Sequence, residues 1–196
     1  DIPLIEDDVY AELHFDQHRP KPAKAFDRKG LVLNCGSFSK WLAPGYRLGW
    51  TGAGRFASAV QRRKVTTSLA TSVPIQNGIA QMLRNEGYDR HLDRLRQSLR
   101  TQQGAALASL KQHFPSGFRV ATPEGGYFLW IELPEKVDAL EVHRRAIEAH
   151  ISIAPGPMFS ARRQFRNCLR LNYGHPWTAQ VEDAMAELGR ILRSLT

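Results

Sequence analysis

The strongest constraint on the fold is a pair of short apolar runs that stop abruptly at polar residues. "PLIE" (3 to 6) runs into "DDVY", and "LVLNCGS" (31 to 37) runs into "FSKWLAPGYR". Short runs bounded by turn-forming residues read as strands, and strands separated by loops and helices imply a mostly parallel sheet in an α/β layer. "RLGWTGA" (47 to 53) reads as a third strand, and the charged, proline-containing stretch up to Gly30 as a connection. Helices are expected over 56–65, over 74–86 with Pro74 at its start and Ile75, Ile79, Met82 and Leu83 on one face, and over 88–114. The last carries Leu92, Leu95, Leu99, Leu107 and Leu110, with Gly104 as a candidate bend.

After "FPSG" the pattern changes. A strand pair is expected over 118–121 and 126–133 around "TPEGG", then a helix over 139–150, strands over 151–154 and 169–173, and a closing helix over 178–195. The first half, residues 1–98, therefore reads as part of a large parallel α/β layer. The second, residues 99–196, reads as a small α+β unit, with the boundary inside the long helix.

Composition excludes several classes. With 42% hydrophobic residues among 196, the chain can bury a core, and it holds no run of about 18 apolar residues that would cross a membrane. The opening "DIPLIEDDVY" lacks the basic start and apolar centre of a secretion signal, so a cytoplasmic location with no membrane partner is expected. Without an initiator Met, and with what reads as an interior strand at its start, the chain looks cut from something longer. Cys35 and Cys168 have no metal-type spacing and read as buried free thiols; no metal site is expected. The net charge of +8 would attract anions, but the arginines are interleaved with leucines and acids, as in "RHLDRLRQSLR". That is the pattern of a solvated helix face, so DNA is not expected to bind this segment directly.

Chemistry concentrates where strands end. Open α/β sheets take their ligands in the crevice beyond the carboxyl ends of the strands. Asp7 and Asp8 stand there, though alone they could simply cap a turn. Lys40 follows the second strand, between Ser37 and Ser39 on one side and a Pro-Gly turn on the other, with Arg47 beyond. One amine, one acid and one anion clamp at neighbouring strand ends suit pyridoxal phosphate: an amine for the carbonyl, a carboxylate for the ring nitrogen, Arg and Ser for the phosphate.

"DDVY", followed some thirty residues later by "SFSKWLAPGYRLG", resembles the fold type I pyridoxal-phosphate aminotransferases. It is most similar to the aminotransferase-like domain of MocR-type regulators, GntR-superfamily proteins that fuse this domain to a DNA-binding winged helix. "HFPSG", "PEGGYFLWIELP", "ISIAPGPMFS" and "NCLRLNYGHPW" extend the resemblance over nearly the whole chain, as the C-terminal half of the family's domain. It implies that Lys40 is the Schiff-base lysine, that Asp7 pairs with the pyridinium nitrogen and that Tyr10 contacts the ring O3′. Ser37 and Arg47 would bind the phosphate, and Arg170 the α-carboxylate of a small-molecule amino compound. From the residues alone, Arg170 could face solvent and Tyr10 could be a packed ring; Phe128 and Trp130 read as core, and His175 and Trp177 as loop packing.

Relatives carry a Gly/Ser phosphate loop, a ring-stacking aromatic and an asparagine near O3′ upstream of the matching segment. The 196 residues alone are thus expected to bind the cofactor weakly or not at all, and to expose an apolar sheet face that a homodimer or a further segment would cover. Three roles follow: a regulator's cofactor-bearing sensor domain, a catalytic aminotransferase, or a cofactor-free dimerisation piece.

Overall fold

A computed structural model describes residues 2–85 and 87–196, and the chain divides into two compact units, Asp1–Gln97 and Ser98–Thr196. In the first unit, β1 (Leu4–Asp7), β2 (Val32–Ser37) and β3 (Gly49–Gly52) form a sheet in the order β1-β2-β3. β1 runs parallel to β2, from Leu4 opposite Val32 to Asp7 opposite Cys35. β3 is an antiparallel edge, with Ser37 opposite Gly49 and Asn34 opposite Gly52, an arrangement common on otherwise parallel sheets. Its direction follows from the connection: the segment between β2 and β3 is a compact turn, whereas a parallel return needs a longer crossover.

The entry to β2 is fixed by Asp27. Its carboxylate accepts from the backbone N–H of Lys29, Leu31 and Val32 at 2.9–3.1 Å and from Lys24 Nζ at 2.9 Å. The Val32 bond and the Lys24 ammonium hold this carboxyl well below the usual range, against the opposing effect of burial. Glu6 plays the matching role on β1, accepting from Ala23 N, Lys24 N and Asn34 Nδ2.

Helices α1 (Ala57–Thr67), α2 (Val73–Arg84) and α3 (Gly87–His113) follow. Pro74 sits in the first turn of α2 as expected, Ile79 is the buried residue of that helix, and Glu86, the last residue expected in it, lies outside the described residues. No residue of α1 is buried, and Ile2, Leu4, Ile5 and Trp50 are exposed, so the strands expected to be buried present apolar side chains to solvent.

In the second unit, β4 (Arg119–Val120), β5 (Phe128–Glu132), β6 (Ala154–Pro155) and β7 (Cys168–Asn172) make an antiparallel sheet in the order β4-β5-β7-β6. α4 (Ala139–Glu148) is capped by Asp138, whose side chain accepts from Leu140 N, and α5 (Ala179–Arg193) by Thr178. Leu129, Ile131 and Leu169 from the sheet are fully buried, as are Ala106 and Leu110 of α3, Val142 and Ala146 of α4 and Leu192 of α5. The strands at 119–120 and 154–155 are shorter than the sequence pattern suggests, and the second begins only at Ala154 and includes Pro155, which stands opposite Leu169. Cys168 is buried as expected; Cys35 is only half-buried, on β2 with its thiol 3.7 Å from Thr51 Oγ1. Among the described residues, no helix is long and apolar enough to cross a membrane.

Glu182 of α5 ties this unit together. It accepts from Trp177 Nε1 at 2.7 Å and Ser109 Oγ at 2.9 Å, and His113 Nε2 lies 2.8 Å away, so both loop and α3 are tethered to α5. The Trp177 bond, opposed by burial and helped by His113 and Ser109, holds this carboxyl below its ordinary value. A carboxyl lowered in the folded state contributes stability at pH above its unfolded pKa and loses it as pH falls through the folded value. Glu182→Gln is therefore expected to cost about 1 kcal/mol at neutral pH and to flatten the acid limb of the stability curve, read from denaturant unfolding across pH 3 to 7.

Two glycines give opposite expectations. A Cβ at Gly189 would lie 2.3 Å from the His113 carbonyl oxygen, so α5 approaches the end of α3 only because the side chain is absent; a Cβ at Gly104 meets nothing within 4 Å. Gly189→Ala is expected to destabilise by about 1–3 kcal/mol and Gly104→Ala to stabilise by about 0.5–1 kcal/mol, both measurable by thermal unfolding. Gly104 causes no break in α3, which runs through it.

Candidate functional site

The loop between β2 and β3 alternates what it buries and what it presents. Phe38 and Trp41 are buried, while Lys40 and Arg47 are exposed and Ser37 and Ser39 are half-buried. The Phe38 ring meets Trp41 edge-on at 4.8 Å and Trp50 at 5.0 Å, and Trp41 meets Tyr88 at 5.5 Å. Backbone bonds from Leu42 N and Ala43 N to Phe38 O, and from Phe38 N to Leu48 O, close the loop, and a His91 ring nitrogen lies 2.7 Å from Trp41 O. Lys40 thus stands on a segment clamped from beneath, the preorganisation that a reacting group needs. The sequence reading singled out the serines, the lysine and the arginine; it passed over Phe38, Trp41 and His91, although the polar-apolar alternation in "SFSKW" signals the anchors.

Asp7 closes β1, one strand away. Among the described residues its carboxylate accepts one long bond, 3.4 Å from Val9 N, and has no ion pair. Asp8 is committed instead, accepting from Arg19 at 2.7 Å and Asn34 at 3.3 Å. The two acids therefore separate: Asp8 is structural and Asp7 is available. Tyr10 follows in the turn, its ring centroid 5.7 Å from Lys40 Nζ, and Lys40 has no ion pair among the described residues.

Ser37 Oγ accepts from Ser39 N at 3.1 Å and lies 3.4 Å from Leu48 O. Arg47 reaches Ser39 Oγ and Pro44 O, both at a weak 3.4 Å, from a backbone at φ 49°, the left-handed region that costs a non-glycine residue energy. This corner holds two hydroxyls and a guanidinium with no carboxylate paired to it among the described residues. Such a donor set suits a phosphate. With Lys40 as a primary amine for a carbonyl and Asp7 as an acceptor for a protonated ring nitrogen, the residues present fit pyridoxal phosphate.

In the second unit Arg170 stands mid-strand on β7, opposite Trp130 of β5 and Ala154 of β6. It does not simply face solvent. It is half-buried, with its guanidinium carbon 4.1 Å from the Phe128 ring centroid and 4.5 Å from that of Phe159, and it makes no hydrogen bond or ion pair among the described residues. Phe128 and Trp130 are accordingly not core: Trp130 is 37% exposed and packs edge-on against Phe159 and Phe165. Trp177 is loop packing, held by Glu182.

Known proteins match the chain over nearly its whole length. The chain is 43% identical over 192 residues to the uncharacterized HTH-type transcriptional regulator YdcR of Escherichia coli, covering 98% of this chain and 41% of the relative. It is 31% identical to aromatic-amino-acid aminotransferase 1 of Thermococcus litoralis, over 98% of this chain and 46% of that enzyme. Among solved structures, the α-aminoadipate aminotransferase LysN of Thermus thermophilus, complexed with N-(5′-phosphopyridoxyl)-L-leucine, superposes with a TM-score of 0.89 at 32% identity. That match covers 98% of this chain and 50% of LysN, so the chain spans about half the length of the relatives it matches. Residues 1–188 match the family model described as aminotransferase class I and II, and the chain belongs to that family.

Proposed function

We propose that this chain is the C-terminal part of a pyridoxal-phosphate-binding, aminotransferase-like domain in a MocR/GntR-type transcriptional regulator, sensing an amino compound or the cofactor itself. The observation that carries the cofactor reading is the unpaired Lys40 amine on its anchored loop, beside an available Asp7 and the Ser37, Ser39 and Arg47 corner. The similarity to HTH-type regulators at 43% and 36% identity supports the regulator reading. DNA would then be contacted only through a winged-helix segment outside these 196 residues, and a homodimer would cover the exposed apolar face of the first unit.

Bound pyridoxal phosphate supplies an electron sink for carbanion chemistry next to the amine of its partner. The residues of this chain do the rest. Lys40 would be the covalent attachment point and would supply a base for a proton on a bound compound. Asp7 would keep the ring nitrogen protonated, Tyr10 would donate to the ring oxygen, and Ser37 and Arg47 would hold the phosphate. Arg170 takes a carboxylate through two parallel N–H bonds, a task for which lysine lacks the planar fork.

A catalytic aminotransferase is the second reading, favoured by the likeness to the Thermococcus litoralis enzyme and to LysN. The full-length protein distinguishes the two. Borohydride treatment of the cofactor-loaded protein is expected to fix the cofactor on Lys40, identified by peptide mass, and Lys40→Ala to abolish fixation; a label elsewhere sinks the site. Arg47→Ala is expected to weaken cofactor binding roughly 10- to 100-fold. A cofactor-dependent change in DNA affinity without sustained transamination supports the regulator, and steady turnover lost on Lys40→Ala supports the enzyme.

A further inference from the structure

The guanidinium of Arg170 is half-buried and lies against two phenyl rings. Arg19, Arg96, Arg119, Arg144, Arg145, Arg166 and Arg190 all have carboxylate partners. Arg170 has two phenyl rings instead, and its N–H donors are unspent among the described residues. A half-buried cation without a counter-ion is costly to hold. Ring faces offset part of that cost through their quadrupoles while leaving the in-plane N–H edge unoccupied, because they touch the guanidinium across its face.

The sequence builds this surround from three places. Phe128 is the diagonal cross-strand neighbour of Arg170, since Phe128 pairs with Asn172 and Trp130 with Arg170, and the diagonal is within reach of long side chains. Phe159 ends the turn Gly156–Phe159 after β6, where Ala154 opposite Arg170 is too small to fill the space. The turn is seated by Gly156, at which a Cβ would stand 2.2 Å from Phe165 O, and the Phe159 ring is braced by Trp130 at 5.6 Å.

We propose that Phe128 and Phe159 are positioning residues for Arg170, fixing the plane and heading of its guanidinium so that it meets a ligand carboxylate edge-on and bidentate. This rests on the reading of Arg170 as a carboxylate site. The rings lower the entropy cost of ordering the arginine before the ligand arrives, and they exclude the alternative of an acid on the protein neutralising it.

The test uses the full-length protein and 4-methylpentanoate, a carboxylate with no amine to react, titrated by calorimetry. Phe128→Leu and Phe159→Leu are each expected to weaken its binding about 3- to 10-fold with the melting temperature unchanged, and Phe128→Tyr and Phe159→Tyr to retain it, because a phenol keeps the ring face. Arg170→Gln is expected to abolish measurable binding. The Nε–H resonance of Arg170, shifted by ring currents in the parent, should move toward the ordinary arginine position in either Leu variant. Binding that survives Arg170→Gln overturns the carboxylate site and the proposal with it. Loss on Arg170→Gln with both Leu variants binding as the parent, or with the Tyr variants as weak as the Leu variants, overturns the positioning role alone.

Discussion

The candidate site of the first unit depends on the burial of Phe38 and Trp41. A loop that carries a lysine, two serines and an arginine has little reason of its own to hold one conformation; polar side chains in water are free, and ordering each residue costs on the order of 1–2 kcal/mol. The two aromatic side chains, interleaved with the polar ones, repay that cost by packing on each other and on Trp50 and Tyr88. The strained left-handed backbone of Arg47 persists on the same account: the closing bonds to Phe38 and Leu48 on either side over-determine it. Geometry that functions above the sheet edge is thus fixed by what lies below it.

Charge completes the division between structure and function. Part of the net charge of +8 is carried by arginines held in ion pairs, such as Arg19, Arg96 and Arg144, and the acids that could matter divide into committed and available ones. Asp8, Glu6, Asp27 and Glu182 are spent on backbone, arginine or indole donors, whereas Asp7, Lys40 and Arg170 are left with little or nothing among the described residues. Groups that a folded chain leaves unpaired at strand ends and half-buried on strands are those for which a ligand supplies the missing partner.

Much of this was legible in the sequence because local patterns decide it. The three strands and three helices of the first unit, and the strand pair, helices and closing helix of the second, follow from apolar period and turn residues, with boundaries shifted by a few positions. Asp7, Ser37, Lys40 and Arg47 could be singled out together because they stand at or after the ends of two neighbouring strands, whereas Tyr10 entered only through the family resemblance. The surroundings of Arg170 were not. Phe128 and Trp130 look like core by residue type, and only the β5–β7 register, together with the return of the chain at Phe159, brings the Phe128 and Phe159 rings against a cation. Cross-strand register and the arrival of the Phe159 ring from the turn after β6 are tertiary facts that the apolar pattern does not contain.

The same residues would serve a sensor or an enzyme, and physics says where the two must differ. A sensor gains from binding its ligand tightly in the ground state and from passing the difference between free and bound forms to another element. An enzyme gains only from contacts stronger in the transition state, and tight ground-state binding deepens the well from which reaction must climb. A carboxylate grip built from a pre-ordered arginine binds substrate, transition state and product alike, because the carboxylate does not change during chemistry at the neighbouring carbon. Such uniform binding raises affinity without raising turnover. As a proposed carboxylate site, Arg170 with its rings is compatible with either role, and a test of turnover falls instead on Lys40.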